Sequence, residues 1–390
     1  MSSLRTPQGF KTLTANLGIK DDTPDFSVVY SEVPASAAGV YTQSRFAGPS
    51  VVLSRAVTAT GIAQAVAVIS KNANVANGAE GTADAERFQH LVARSLGCNP
   101  ADVAIASTGV IGRRYPMDKI ELGLAGLPSP DRFGCDFEAV ATAIMTTDTH
   151  AKCASRQLNG SRGQVALMGI AKGVGMIEPN MATLLAYFYT DAEIAPAALD
   201  EVFKSVMDRT FNALSIDTDT STSDSAMILA NGLGGEVDRA EFEQALYEVA
   251  LELVLQIAAD GEGASKVIEV TVEGARDDAQ ARRVAKSVVN SPLVKTAVHG
   301  ADPNWGRIAM AVGKCHEETD IEADSVVIRI GGQEMYPTPV DSAGLAAASA
   351  HMAGSHVLIE VDLHIADGRF TAYGCDLTDG YVRINADYTT

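Results

Sequence analysis

No apolar run in this 390-residue chain reaches the ~18 residues that would suggest a membrane span. The stretch Met1–Pro7 has no apolar core of the signal-peptide kind, so the expected location is cytoplasmic. CxxC pairs are also absent. The five cysteines (Cys98, Cys135, Cys153, Cys315, Cys375) are scattered and odd in number, which fits reduced thiols and excludes a disulfide framework. Positive charge is scarce: 30 Lys and Arg stand against 49 Asp and Glu, for a net charge of -19. A polyanion would be repelled by most of such a surface, so nucleic acid is not an expected partner. The seven histidines show no HxxxH or HExxH spacing, and no metal site is expected. No GxSxG elbow supports a Ser/His/Asp hydrolase. Gly173-Val174-Gly175 lacks the third glycine and the acidic partner of a dinucleotide fingerprint, and no cofactor is expected.

With 46% hydrophobic and 20% charged residues, the composition is that of a soluble globular protein, and the length allows two or three cores. Short β-rich runs alternate with helical stretches in the first half. Val51-Val52-Leu53, 65–69, 102–106 and 165–170 read as strands, and 84–96 reads as a helix with Phe88, Leu91, Val92 and Leu96 on one face. Residues 196–207 look helical, with Pro196 in the first turn. The clearest helix is 239–259, where Phe242, Leu246, Val249, Ala250, Leu253 and Ile257 form one apolar stripe. A distinct α+β region then begins. It has strands over 267–272 and 326–330, and helices over 277–289 and 343–352. Residues 357–363 and 370–373 read as a closing hairpin with Ala366-Asp367-Gly368 in its turn. This order gives neither a TIM barrel nor a Rossmann sheet. It implies a mixed α/β (α+β) class with layered sheets.

The most informative segment is Lys172-Gly173-Val174-Gly175-Met176-Ile177-Glu178-Pro179-Asn180-Met181-Ala182-Thr183. Gly and Pro mark it as a loop, and the β-branched and aromatic run 183–190 after it reads as a buried strand. A Thr at such a junction, after a small residue and with a Lys upstream, has the layout of an N-terminal nucleophile made by self-cleavage. Scission between Ala182 and Thr183 would leave an α-amine beside the Thr183 hydroxyl. An α-amine titrates near ~8, against ~10 for Lys, and so can act as a base near neutral pH without a histidine. The loop Asp217–Asp224 looks superficially like a calcium loop but lacks its glycine and its final glutamate, and reads as a hydrogen-bonded structural loop near the cleavage site.

In these residues the chain resembles the ornithine acetyltransferase (bifunctional glutamate N-acetyltransferase) family, whose precursors cut themselves before the Thr of a Met-Ala-Thr triplet. Further matching blocks are Ile105–Gly112, Met145–Thr149, Asp260–Ala264, Lys295–Ala297, Ala301–Arg307 and Arg383–Tyr388, in family order along nearly the whole chain. Glu178 stands where arginine-pathway members usually carry a small residue. There, and around Ser44–Pro49, the chain is more similar to members encoded in clavulanic-acid clusters.

The resemblance implies an αββα sandwich of the aminopeptidase/ornithine-acetyltransferase type with a smaller α+β lobe. It implies cleaved chains 1–182 and 183–390. The main body would be about 1–238 plus C-terminal strands about 355–390, and the smaller lobe about 239–354. The implied activity is acetyl transfer from N-acetylornithine to glutamate through an acetyl-Thr183 intermediate. Hydrolysis on the same fold, or transfer to a different amino-acid acceptor, are the rival readings. Thr108 and Gly109 would form the oxyanion hole. Thr149, Lys172, Glu262, Asn385 and Thr390 would contact substrate, with Thr147 a rival to Thr149. Two copies of each cleaved chain would form a heterotetramer.

Overall fold

The computed structural model describes residues 4–178 and 184–387. Three positions singled out in the sequence, Ala182, Thr183 and Thr390, lie outside the described residues. The first half comprises β1 (Phe10–Ala15), β2 (Phe26–Tyr41), α1 (Pro49–Ala59), β3 (Ile62–Ile69), α2 (Gly78–Leu96), β4 (Val103–Ser107), α3 (Met117–Ala125), α4 (Phe137–Ala143), β5 (Lys152–Gly160) and β6 (Gly163–Lys172). There follow β7 (Leu185–Glu193), α5 (Pro196–Arg209), β8 (Ser225–Glu236), α6 (Arg239–Ala259), β9 (Val267–Ala275), α7 (Asp278–Val289), α8 (Pro292–His299) and α9 (Trp305–Gly313). The chain closes with β10 (Val327–Ile330), β11 (Gln333–Tyr336), α10 (Ser342–Met352), β12 (His356–Asp362), β13 (Gly368–Cys375) and α11 (Asp379–Asp387).

Eight strands form one mixed sheet, ordered β4-β3-β2-β8-β7-β6-β5, with β1 paired to β2. Its strands alternate sides cleanly. Tyr187 and Tyr189 join Met227 and Leu229 in a core under α1 and α4, while Phe188 joins Ile228 and Ala226 in the core under α5 and α6. A third core packs α2 and α3 on β3 and β4. The sheet is therefore buried on both faces, which is why β7 reads as a continuous apolar run. Helix α6 lies between the two sheets, touching β5 and β6 of the large one and β9 and β13 of the other. Its expected stripe is fully buried, and Ala245, Val254 and Ala258 are buried beside it. Asp238 caps its first turn, accepting hydrogen bonds from the N–H groups of Ala240 and Glu241.

The second sheet runs β11-β10-β12-β9-β13, with α7 packed on β9 and β13. The mixed α/β class, with an α+β region in the second half, is thus the observed one. Two expectations need correction. Residues 51–53 lie in helix α1, not a strand. Three apolar residues are too few to set a period, whereas Pro49 at the first turn and buried Ser50, Val51, Ser54 and Val57 define a helical face. The strands β12 and β13 do not form a hairpin. Both pair with β9, β12 parallel (Ile359↔Val270) and β13 antiparallel (Ala372↔Val270). The connection crosses the end of β9, where Leu363 N–H donates to Glu273 O and Ile365 N–H to Gly274 O. The strands after residue 355 accordingly join the second sheet, not the large one.

Phe188 carries much of the packing between β7 and α5. It is fully buried, with its ring 5.8 Å from Phe203 and 6.1 Å from Phe211, both in edge-on geometry. Phe188→Ala should destabilise the fold by about 3–5 kcal/mol. Urea unfolding should show a lower midpoint at an unchanged slope.

Candidate functional site

A pocket opens where the ends of several elements meet. Its wall includes Thr108 and Gly109 after β4, Thr146 and Thr147 after α4, Lys172 at the end of β6, Gly175 beyond it, Leu184 and Leu185 at the start of β7, and Ser221–Asp224 before β8. Glu262 after α6 and Asn385 on α11 complete it. Five of the residues singled out in the sequence, Thr108, Gly109, Lys172, Glu262 and Asn385, therefore share one cavity, although they span almost the whole chain.

Gly109 takes a φ of 123°, and a Cβ there would lie 2.6 Å from Lys71 Cα and 2.7 Å from Asn72 N. Only glycine fits this turn. Among the described residues nothing accepts the Gly109 N–H, so it is available, beside the Thr108 hydroxyl, to a ligand. A hydroxyl and a backbone N–H fixed at a tight turn are the groups that stabilise a tetrahedral oxyanion, each such donor being worth about 2.7–4 kcal/mol.

A buried ion cluster supports the segments that carry Thr146 and Lys172. Lys152, wholly buried on β5, donates to Asp148 Oδ1 at 2.8 Å and to Asp260 Oδ2 at 2.6 Å. Asp148 also accepts from Gly173 N–H at 2.7 Å and from Thr146 N–H at 3.1 Å. Burial by itself would raise the Asp148 pKa, but the charges of Lys172 and Lys152 and these hydrogen bonds hold it below the usual carboxylate range. Lys172 is half-buried, and its Nζ donates to Thr146 Oγ1 at 3.1 Å. Burial lowers its pKa, assisted by the positive charge of Lys152 and opposed by Asp148, Asp224 and Glu262. Lys172 thus places an amine in the pocket wall, and its protonated form suits a carboxylate.

Glu262 faces the same space. It accepts from Thr147 Oγ1 at 3.2 Å and from Asn385 Nδ2 at 2.9 Å. A Cβ on Gly175 would lie 2.5 Å from Glu262 Oε2, so that glycine is what lets the carboxylate approach the 172–178 loop. This carboxylate–amide pair suits an ammonium group. Thr149 sits elsewhere. It is exposed, its hydroxyl donates to Asp260 Oδ1, and its N–H donates to Asp260 Oδ2 at 3.1 Å. Thr147, not Thr149, lines the pocket.

The 217–224 loop is hydrogen-bonded to the loop that ends at Glu178. Asp217 accepts from the N–H groups of Met176 and Ile177 at 2.6 and 2.8 Å, and Glu178 N–H donates to Asp219 O at 2.8 Å. The Glu178 carboxylate accepts from Asn290 Nδ2 at 2.9 Å, tying this loop to the helix α7 region. Asp148, Lys152, Asp260 and Asp224 were not singled out as site residues. Asp148 and Asp260 lay inside the matching blocks, but a lone lysine such as Lys152 in a strand gives no signal until its partners are brought to it.

The chain belongs to the ArgJ family, whose model matches residues 11–390. It is 57% identical to the glutamate N-acetyltransferase Oat2 of Streptomyces clavuligerus, over 100% of this chain and 99% of that protein. It is likewise 57% identical to the arginine biosynthesis bifunctional protein ArgJ 2 of Nostoc sp., over 100% of both. Among solved structures, the arginine biosynthesis bifunctional protein argJ from Bacillus halodurans is 40% identical, with a TM-score of 0.48, covering 52% of this chain and 98% of that one.

A carboxylate bound by Lys172 is held only while the amine is protonated. Because the Lys172 pKa is lowered, amino-acid affinity should fall as pH rises, below the ~10.4 of a free lysine. Lys172→Met should lose about 1.5–3 kcal/mol of binding at neutral pH, roughly 10- to 150-fold, and should also lose this pH dependence. Titration calorimetry across pH checks both.

Proposed function

We propose that this protein is a self-cleaving acetyltransferase that moves acetyl from N-acetyl-L-ornithine to L-glutamate through an ester on Thr183. The observation that carries the reading is the gathering, in one pocket, of an oxyanion pair (Thr108, Gly109), a cation (Lys172) and a carboxylate–amide pair (Glu262, Asn385). Leu184, which follows Thr183 in the chain, is in the wall of that pocket. Membership of the ArgJ family and the names of its 57%-identical relatives support the same reaction.

In maturation the Thr183 hydroxyl attacks the Ala182 carbonyl, and water cleaves the resulting ester. The freed α-amine then serves as base while the hydroxyl attacks the donor's acetyl carbon. Thr108 and Gly109 stabilise the oxyanion, Lys172 holds a substrate carboxylate, and Glu262 with Asn385 holds an ammonium. Thr147 is the threonine in contact with the bound molecule. Thr149 acts behind it on Asp260, and Thr390 contributes from the chain end. No cofactor or metal enters these steps. Trading one amide for another through a single ester keeps the exchange nearly isoenergetic. The cleaved chains assemble as a cytoplasmic heterotetramer of two 1–182 and two 183–390 chains. Among the described residues no helix is long and apolar enough to cross a membrane. Arginine or ornithine supply is the assigned role, and Glu178 supports service in a clavulanic-acid cluster.

The purified protein should separate under denaturing conditions into chains of about 19 and 22 kDa, the 40.8 kDa mass divided by residue number. Thr183→Ala should remain a single inactive chain. Active material of one 40.8 kDa species would exclude an N-terminal nucleophile.

A further inference from the structure

Asp224 stands in the wall of this pocket, immediately before β8, and is 2% exposed. Among the described residues its Oδ2 has no hydrogen-bond partner. A buried polar atom left unpaired is costly, and native proteins retain few of them without a reason. The charged group facing it is Lys172, from the end of β6, and its own loop contributes the hydroxyl of Ser221. Its main chain fixes its place. Asp224 O accepts from Thr42 N–H at 3.0 Å, and the next residue, Ser225, donates to Leu184 O at 2.9 Å. Asp224 and Leu184, the residue that follows Thr183 in sequence, both line the pocket. Burial raises the Asp224 pKa well above the usual carboxylate range, against the smaller opposing effects of Ser221 and Lys172. The shift favours the protonated carboxyl, the form with a proton to give.

We propose that Asp224 is the general acid that protonates the departing amine of the donor and the general base that recovers the proton from the entering amine. The proposal rests on the acyl-transfer reading above. An amide nitrogen cannot leave as an anion and must be protonated as its C–N bond breaks. In the first half-reaction the Thr183 oxygen bonds the acetyl carbon and its proton passes to the α-amine. The C–N bond breaks, and the Asp224 carboxyl proton passes to the leaving nitrogen, which departs as a neutral amine. The pocket is left with an ester, an α-ammonium and an Asp224 carboxylate. The acceptor enters as a neutral amine, its ammonium proton having gone to water. Its nitrogen bonds the acetyl carbon and gives a proton to Asp224, while the α-ammonium returns a proton to the Thr183 oxygen. The starting protonation is restored.

Asp224→Asn keeps the shape and removes the proton, and is compared on two acetyl donors. N-acetylornithine needs its leaving nitrogen protonated, whereas 4-nitrophenyl acetate releases a phenolate that does not. With the cleaved variant, single-turnover acetylation by N-acetylornithine should fall about 10²- to 10⁴-fold while 4-nitrophenyl acetate is nearly unaffected. Equal falls with both donors, or no fall with either, overturn the proposal. Should Asp224→Asn fail to mature, the wild-type enzyme decides. At saturating donor, its acetylation rate should decline at high pH with N-acetylornithine and stay level with 4-nitrophenyl acetate, and level profiles for both overturn it. A wild-type enzyme that neither donor acetylates would instead discredit the acyl-transfer reading itself.

Discussion

The carboxylate of Asp148 is the point on which the pocket hangs. It binds the ammonium of Lys152, the N–H groups of Thr146 and Gly173, and the field of Lys172. Through Lys152 it is joined to Asp260 at the end of α6. One buried charge cluster thus fixes the segment after α4, the strands β5 and β6 and the turn before Glu262 relative to one another. Removing either partner of such a pair would leave an uncompensated buried charge, a loss of about 3–5 kcal/mol. This arrangement sets the pocket-lining groups Thr147, Lys172 and Glu262 on a rigid support, which is what a site needing sub-ångström geometry requires.

The electrostatics of the pocket run against those of the chain. A net charge of -19 repels a free dicarboxylate at long range. Within the pocket the protonated form of Lys172 suits a carboxylate, the Glu262 carboxylate with Asn385 suits an ammonium, and burial favours the protonated form of Asp224. A zwitterionic amino acid meets complementary charge at both ends, whereas a polyanion meets it at one residue. Thr108 and Gly109 add neutral dipoles to the wall, placed by a turn that only glycine can make.

Much of this was legible in the sequence where the physics is local. Helix α6 was readable because a 3.6-residue apolar stripe runs up to Asp260-Gly261, and the Asp238 cap fixes its start in the fold. Pairing between distant strands was not legible. Nothing local tells β12 and β13 that β9 will slip between them, so adjacency in sequence suggested a hairpin. The choice between Thr147 and Thr149 was equally hidden, since two threonines two residues apart differ only in what the fold brings near: Glu262 for one and Asp260 for the other. The buried Lys152 cluster and the unpaired oxygen of Asp224 are likewise products of tertiary contact. The family blocks marked where chemistry sits, and the fold specifies which atom of each block faces the cavity.

The central claim is that this pocket passes an acyl group through a covalent ester on one threonine. Incubating the cleaved protein with N-acetylornithine and no acceptor, then measuring chain masses and sequencing the labelled peptide, tests it most directly. The account predicts a gain of about 42 Da, one acetyl replacing one proton, on the 183–390 chain at Thr183, discharged on adding glutamate. Turnover in which neither chain ever carries acetyl, or an acetyl on any other residue that glutamate discharges, would contradict it.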